Sequence, residues 1–263
     1  MKRPVLLAFS FVLFVSLFAH AQTAYVDGKT SYGGFVYGRD NSQTIPFGTT
    51  FVMKDAGESL EIIFEAVNPW MERVKTDAET GVWSCGDCCE LWFDTEASAK
   101  RVVQLAFGVN GKVWDKRGNP EWTADVVRNA KGWMAKVRIP YAALGAKRPA
   151  KGARWRFNVC RSYNDESGTF VISSWAHVGA NFNRPQKFAD LYFGSAEEVA
   201  AVQKAARAAS LKGLRDEVHA KGLEAVFAKK LSAAEEGGPE ALVQEIRDEL
   251  RAIDGISAGM KGE

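Results

Sequence analysis

Tryptophan rings and a few polar side chains are the residues of this sequence that could do chemistry. The chain has eight Trp and 16 Phe among 263 residues, and all of the Trp lie between Trp70 and Trp175. Large rings beyond the needs of a core often serve as contact platforms. A flat ring suits the apolar face of a pyranose, and carboxylates or amides suit its rim of hydroxyls.

Three polar or amphipathic residues stand in alternating runs that predict strands. In residues 89–94, Glu90 and Trp92 alternate with apolar residues, and in residues 155–161, Asn158 does the same. Successive side chains of a strand point to opposite faces of its sheet. We therefore expect these three side chains on faces turned away from the core, where a ligand could reach them.

Catalysis is not indicated by any motif. Glycoside hydrolysis needs two carboxylates that flank a cleft, and no acidic pair is singled out by its spacing. Only three His are present, and we find no Gly-rich phosphate loop, nucleophile elbow or metal-binding His pair. With 34 basic and 32 acidic residues the net charge is +2, which argues against nucleic-acid binding. The expectation is a protein that is not an enzyme.

The four cysteines, Cys85, Cys88, Cys89 and Cys160, allow three pairings. Adjacent Cys88 and Cys89 point to opposite faces if they lie on a strand, so a bond between them is not expected. In an oxidising compartment we favour one disulfide between the 85–89 segment and Cys160. A metal site at Cys85-Gly-Asp-Cys88 is the weaker alternative, because zinc would need a second close pair of ligands.

The first 21 residues predict a cleavable signal peptide. A basic start at Lys2 and Arg3 precedes an uncharged apolar run over residues 5–18, and Ala19-His20-Ala21 supplies a cleavage site before Gln22. A membrane anchor is the alternative, but the run is shorter than the roughly 20 residues that span a bilayer. The mature chain is expected in the periplasm or outside the cell, with no membrane span.

Composition divides the mature chain into two zones. Residues 22–194 are rich in aromatic and β-branched residues, whereas residues 195–263 are rich in Ala, Glu, Lys and Leu and lack Trp and Tyr. Period-two alternation over several short runs is typical of an antiparallel β-sandwich. These runs are residues 60–67, 89–94, 103–109, 133–139 and 155–159.

The second zone predicts a helical hairpin. Ser195 and Glu198 form a capping box that begins the first helix, and Gly237-Gly238-Pro239 separates it from the second. The apolar stripe of these helices is narrow. It therefore favours a hairpin or a contact with a partner over an independent core.

Five sequence blocks in the β zone follow one another in an order that resembles the family 9 carbohydrate-binding modules of secreted xylanases. The resemblance covers residues 45–194. The blocks are Trp83 with Cys88–Asp94, Gly132–Gly145, Trp155–Arg161, Ser174-Trp175 and Phe188–Phe193.

This resemblance implies a sandwich of jelly-roll type that binds a sugar or a polysaccharide chain end. It implies a slot between two Trp rings with an acidic residue that bonds sugar hydroxyls. By motif position the rings match Trp83 and Trp175, and the carboxylate matches Glu90. Structural calcium is also implied, with no ligand residues identified in this chain.

Two other functions remain open. In the first, the sandwich is a scaffold without sugar binding, and the helical tail mediates self-association or docking of a protein. In the second, the sandwich binds haem for electron transfer. Its axial ligands would then come from Met53, Met71, Met134 and His177.

Overall fold

The computed structural model describes most of residues 22–263. The predicted signal peptide, residues 1–21, lies outside the described residues. The structure describes residues 22–38, 43–45, 47–77, 79–118 and 121–259, with the backbone alone for 255–259.

Within these residues, thirteen strands form two sheets that enclose one apolar core. The first sheet has the order β1-β13-β11-β6-β7-β8, and β12 and β3 continue it beside the second half of β11. Its strands are β1 (Thr23–Val26), β3 (Val36–Tyr37), β6 (Asp87–Asp94), β7 (Val103–Gly108), β8 (Val113–Asp115), β11 (Arg154–Asn164), β12 (Phe170–Ser174) and β13 (Ala189–Phe193).

The second sheet has the order β2-β4-β5-β10-β9. The predicted fold class, a β-sandwich followed by helices, is confirmed. One pair departs from the antiparallel pattern, because β1 runs parallel to β13. The strands of the second sheet are β2 (Ser31–Tyr32), β4 (Thr49–Asp55), β5 (Ser59–Val67), β9 (Thr123–Asn129) and β10 (Gly132–Pro140).

Aromatic residues from both sheets fill the space between them. Phe64 of β5 meets Phe107 of β7 edge to face at 5.7 Å between ring centroids, and Trp133 of β10 packs on both. Trp133 and Trp155 are almost fully buried, as their places in the alternating runs predicted. Period two therefore identified the core faces correctly, because the pleat sends every second side chain inward.

A buried ion pair of the first sheet is hydrogen-bonded across this core to the second sheet. The Arg161 guanidinium donates to both carboxylate oxygens of Asp87, at 3.0 and 2.6 Å, and to Thr49 Oγ1 on the opposite sheet. Trp133 Nε1 and Asn68 Nδ2 each donate a 2.8 Å bond to the same carboxylate. Both charges are paired and hydrogen-bonded, which is the condition for holding them away from water.

The C-terminal zone forms three helices in the described residues, where the sequence predicted a hairpin of two. These are α1 (Ala196–Ala220), α2 (Glu224–Glu235) and α3 (Glu240–Gly259). The capping box of Ser195 and Glu198 is present. The additional break falls at Gly222, whose φ of +66° belongs to the left-handed region that glycine adopts freely.

The helices also bury a core of their own, so the expectation of a narrow stripe without a core is wrong. Phe227 and Leu231 of α2 supply the third side of this core, which encloses apolar residues of α1 and α3. The stripe is thus occupied within the chain, which removes the sequence argument for a partner on it. No helix of the described residues is long and apolar enough to cross a membrane.

The first turns of α1 pack on the sandwich. Val199 is buried, and Lys151 forms an ion pair with Glu198. At Gly152 the helix comes so close that a Cβ would lie 2.6 Å from Val202 Cγ1. Gly152 therefore permits the helix to contact the turn before β11.

Candidate functional site

The outer face of the first sheet carries a continuous patch of polar and aromatic side chains. On β6, Glu90 and Trp92 point outward because Leu91 between them is in the core. Across the sheet Glu90 pairs with Ala106 of β7, and Trp92 pairs with Gln104. Directly paired residues lie on the same face. The register therefore places Glu90 and Trp92 on the predicted non-core face, but both side chains are covered there, at 9% and 7% exposed.

Two tryptophans complete this patch at its edge. Trp114 of β8 pairs with Ala106, which places it on the same face as Glu90, with Ala106 between them. Trp83 lies in the short 3₁₀ turn Val82–Ser84 and meets Trp114 edge to face, with ring centroids 4.8 Å apart and planes at 70°. Trp83 is 41% exposed, a large fraction for a ring of this size. We name Trp83 and Trp114 the aromatic corner.

The turn that carries Trp83 is held by contacts with the end of β7 and the loop that follows. Asn110 Nδ2 donates a 2.8 Å bond to the Thr80 carbonyl. A Cβ at Gly108 would lie 2.7 Å from Cys85 Sγ, so glycine is needed where the turn approaches the strand. The position of the aromatic corner is thus set by backbone contacts and not by the ring contact alone.

Glu90 is the polar centre of the patch. Its carboxylate accepts a 2.6 Å hydrogen bond from Gln104 Nε2. Burial raises its pKa above the ordinary value, while Gln104 and the indole N–H groups of Trp83 and Trp92 act in the opposite direction. The Trp92 N–H lies near the carboxylate without forming a hydrogen bond of normal geometry. The carboxylate is thus largely shielded from water, with donors on several sides.

The segment after β12 covers the neighbouring part of the same face. Val178 and Phe188 pack over Trp92 and Cys160. Asn158 lies beneath this segment, fully buried. Its Oδ1 accepts a 2.8 Å bond from the Ala176 backbone N–H. Asn158 thus lies on the predicted outer face, but its side chain is buried and holds the covering segment in place by a hydrogen bond.

Trp175 does not reach the site, so the predicted slot between Trp83 and Trp175 is not formed. Its ring is 3% exposed and packs edge to face on Phe51, at 5.1 Å between centroids. The reason is the alternation itself. Ser174 pairs with Cys160 on the outer face, so the next residue turns into the core.

The predicted disulfide is also absent, because all four cysteines are free and buried. Cys160 faces the cover of the outer face, whereas Cys89 faces the core of the sandwich. The Cys85 thiol donates to the carbonyls of Val82 and Asp87. Burial raises the pKa of the thiols, most strongly at Cys88, Cys89 and Cys160. Such thiols are unreactive in the folded state.

The structure shows where the described candidates for metal and haem ligation lie. No group of three or more His, Cys, Asp and Glu side chains there is arranged to hold a metal ion, and the calcium implied by the resemblance stays a prediction. Of the haem candidates, Met53 is buried in the core, Met134 is exposed on the outer face of the same sheet, and His177 is exposed. Met53 and Met134 therefore lie on opposite faces.

Two residues of the site were not identified from the sequence. Trp114 stands in a run too short for its face to be assigned, because β8 has three residues. Gln104 was the only polar side chain in an otherwise apolar run, residues 102–109. The signal that could have identified Gln104 was its polar side chain at a strand position that points away from the core.

Comparison with known proteins supports the fold through structure and not through sequence. No protein-family profile matches this chain, and no curated protein sequence matches it. Two solved structures of a family 9 carbohydrate-binding module from Caldicellulosiruptor kristjanssonii are similar in structure. One, in complex with cellotriose, has a TM-score of 0.51 and 15% identity over 66% of this chain and 94% of that one.

The other structure, in complex with glucose, has a TM-score of 0.50 and 16% identity. The match covers 67% of this chain and 98% of that one. At such identities the likeness concerns the fold, and the predicted resemblance to a family 9 sandwich is confirmed at that level. The site of the present chain rests on its own geometry.

Proposed function

We propose that this protein is a non-catalytic carbohydrate-binding protein that holds a sugar at the aromatic corner. The observation that carries this proposal is the half-exposed ring of Trp83, set against Trp114 beside the Glu90 carboxylate. The exposed Trp83 ring leaves apolar surface in water, and the buried Glu90 carboxylate has lost part of its hydration. A pyranose that covers the ring and brings its hydroxyls to the carboxylate gives both groups favourable contacts.

The angle between the rings determines how the sugar is held. At 70° the two indoles form a corner, so a pyranose stacked on one ring meets the edge of the other. Two parallel rings would instead grip both faces of the sugar. The corner leaves one face of the sugar exposed, which suits a terminal or side-on unit of a longer chain.

The polar groups of the site can bond the hydroxyls of a stacked sugar. Glu90 Oε2 already accepts from Gln104, which leaves Oε1 and the remaining lone pairs for sugar hydroxyls. Because Glu90 is buried, such bonds are stronger than in open water. A protonated Glu90 would replace one acceptor by a donor, so binding depends on its charge state.

A catalytic role is not supported by the acidic residues near Glu90. Asp94, on the same strand, accepts hydrogen bonds from the backbone N–H groups of Glu96, Ser98 and Ala99. Asp115 accepts from the N–H groups of Arg117 and Gly118. Both carboxylates are engaged in turns. Neither of these two carboxylates is therefore free to act with Glu90 as the second acid that glycoside hydrolysis needs.

The similar structures suggest which sugars to test first, because they were solved with cellotriose and glucose. Export by the predicted signal peptide would bring the protein into contact with such oligosaccharides outside the cytoplasm. We therefore propose β-linked gluco- or xylo-oligosaccharides as ligands.

The test is a calorimetric and fluorescence titration with glucose, cellobiose, cellotriose and xylobiose. We expect saturable binding that Trp83→Ala weakens by at least about tenfold. Trp114→Ala and Glu90→Gln should weaken it as well. Phe170→Ala is the matched control, because Phe170 is an aromatic residue of the same sheet, 47% exposed, outside the site. Absence of binding in the folded protein, or binding unchanged in Trp83→Ala, would overturn the proposal.

A further inference from the structure

A cavity adjoins the outer-face patch around Glu90 and shares two residues with it. Trp92 and Gln104 form one wall of this cavity, and the turn after β10 with Gly145 forms another. The cavity encloses about 310 Å³, at the lower end of the range for ligand pockets. Along β6 and β7, Trp92 and Gln104 stand two residues from the pair Glu90 and Ala106, a step of about 6.7 Å.

Positive charge dominates the rim of this cavity. Arg101, Lys116 and Arg117 line it, together with a single carboxylate, that of Asp115. Asp115 is paired with Arg117, whose Nη2 also donates a 3.0 Å bond to the Ala143 carbonyl. In the described part of the chain, Arg101 and Lys116 have no carboxylate partner. Two positive charges thus face the cavity without compensation.

The Arg101 side chain lies across the cavity wall. Its guanidinium is so close to Gly145 that a Cβ there would lie 2.6 Å from Nη2. Gly145, with a φ of +67°, ends the 3₁₀ turn Tyr141–Leu144 and provides the flat backbone on which the guanidinium rests. An arginine positioned in this way, with its donors unused, matches the planar two-oxygen geometry of a carboxylate.

We infer that the cavity is a second subsite, which takes the carboxylate-bearing unit of an acidic oligosaccharide through Arg101. The inference rests on the proposed sugar binding at the aromatic corner. A neutral unit stacks on the corner beside Glu90, and the adjoining unit lies over Gln104, next to the part of Trp92 that lines the cavity. A uronic acid carboxylate on that unit reaches Arg101, with Lys116 adding to the attraction. The ligand class is thus an oligosaccharide that contains a hexuronic acid.

The experiment compares two disaccharides that differ only in one carboxylate, cellobiose and cellobiouronic acid. Each is titrated into wild type, Arg101→Gln and Arg138→Gln. Arg138 is the control because it lies on the outer face of the other sheet, and its substitution removes the same charge. Trp83→Ala is included to report on the aromatic corner.

We expect wild type and Arg138→Gln to prefer cellobiouronic acid about fivefold. Arg101→Gln should lose this preference while its affinity for cellobiose is unchanged. Raising NaCl from about 0.1 M to about 1 M shortens the Debye length from about 10 Å to about 3 Å and should reduce the preference. Trp83→Ala should weaken both ligands together.

Three other outcomes would overturn the inference. Equal affinities in wild type would remove the acidic subsite and leave the proposed function intact. A preference that persists in Arg101→Gln would show that Arg101 does not hold the carboxylate. Absence of binding for both disaccharides would remove the proposed function and the subsite with it.

Discussion

Gln104 Nε2 donates a 2.6 Å hydrogen bond to Glu90 Oε2 on a diagonal between two strands. In the register of β6 and β7, Glu90 stands opposite Ala106, and Gln104 stands opposite Trp92. The small side chain of Ala106 leaves the space through which the diagonal bond forms. This bond orients the carboxylate beside the aromatic corner, so the polar and aromatic parts of the site form one unit.

Two tryptophans predicted for one slot should behave as opposites. Trp83→Ala should change the free energy of unfolding by no more than about 0.5 kcal/mol, because the ring is at the surface. Trp175→Ala should cost about 3–5 kcal/mol, because it opens a cavity among buried rings. Urea unfolding followed by circular dichroism measures both. A Trp175→Ala variant of normal stability would contradict the structure.

Glu90→Gln should stabilise the protein increasingly as the pH rises. Burial raises the pKa of Glu90 above 4.5, so the folded state holds this proton more tightly than the unfolded state. Its contribution to stability is present at low pH and is lost as the pH rises from 4.5 through the folded pKa. The glutamine variant lacks this loss.

Glu61→Gln is the control of opposite sign for that measurement. The Arg138 guanidinium lowers the pKa of Glu61. The ionised Glu61 therefore stabilises the folded protein at pH values above the ordinary pKa of 4.5, and this stabilisation is lost as the pH falls through the lowered pKa. The variants are compared with wild type by urea unfolding from about pH 2.5 to about pH 8, so that the range includes the pH below 4.5 in which Glu61 titrates. Parallel curves for Glu90→Gln and wild type would contradict the predicted shift.

The buried pair of Asp87 and Arg161 should tolerate loss of both charges better than loss of one. Asp87→Asn should cost about 3–5 kcal/mol, because it leaves the guanidinium buried without a counter-charge. Adding Arg161→Met to it should recover part of this cost. A double-mutant cycle in urea measures the coupling, and additive effects would show that the two groups do not interact.

The helical zone should unfold separately in response to a change in its own core. Ile246→Ala should destabilise the helices by about 2–5 kcal/mol, because Ile246 is fully buried among them. Far-UV circular dichroism should report the loss. Tryptophan fluorescence should not, since residues 195–263 contain no Trp. Val226→Ala, at a position 67% exposed, is the matched control and should leave both signals unchanged.

The sequence by itself determined five of the strands (β5, β6, β7, β10 and β11), the face on which Glu90 and Trp92 lie and the start of the first helix at Ser195. These features depend on neighbours along the chain. The two-residue period of a strand and the three-residue span of a capping box are visible in the order of residues. The buried roles of Trp133 and Trp155 followed from the same period.

Only the tertiary structure decided which of these faces meet. Trp175 entered the core because the register of β12 against β11 sets its phase. Trp114 joined Trp83 because β8 pairs with β7 and not with another strand. Pairings between distant strands depend on packing of the whole sandwich, which local periodicity does not encode. For that reason the sequence placed Glu90 on the outer face, but it did not place Trp114 beside Trp83.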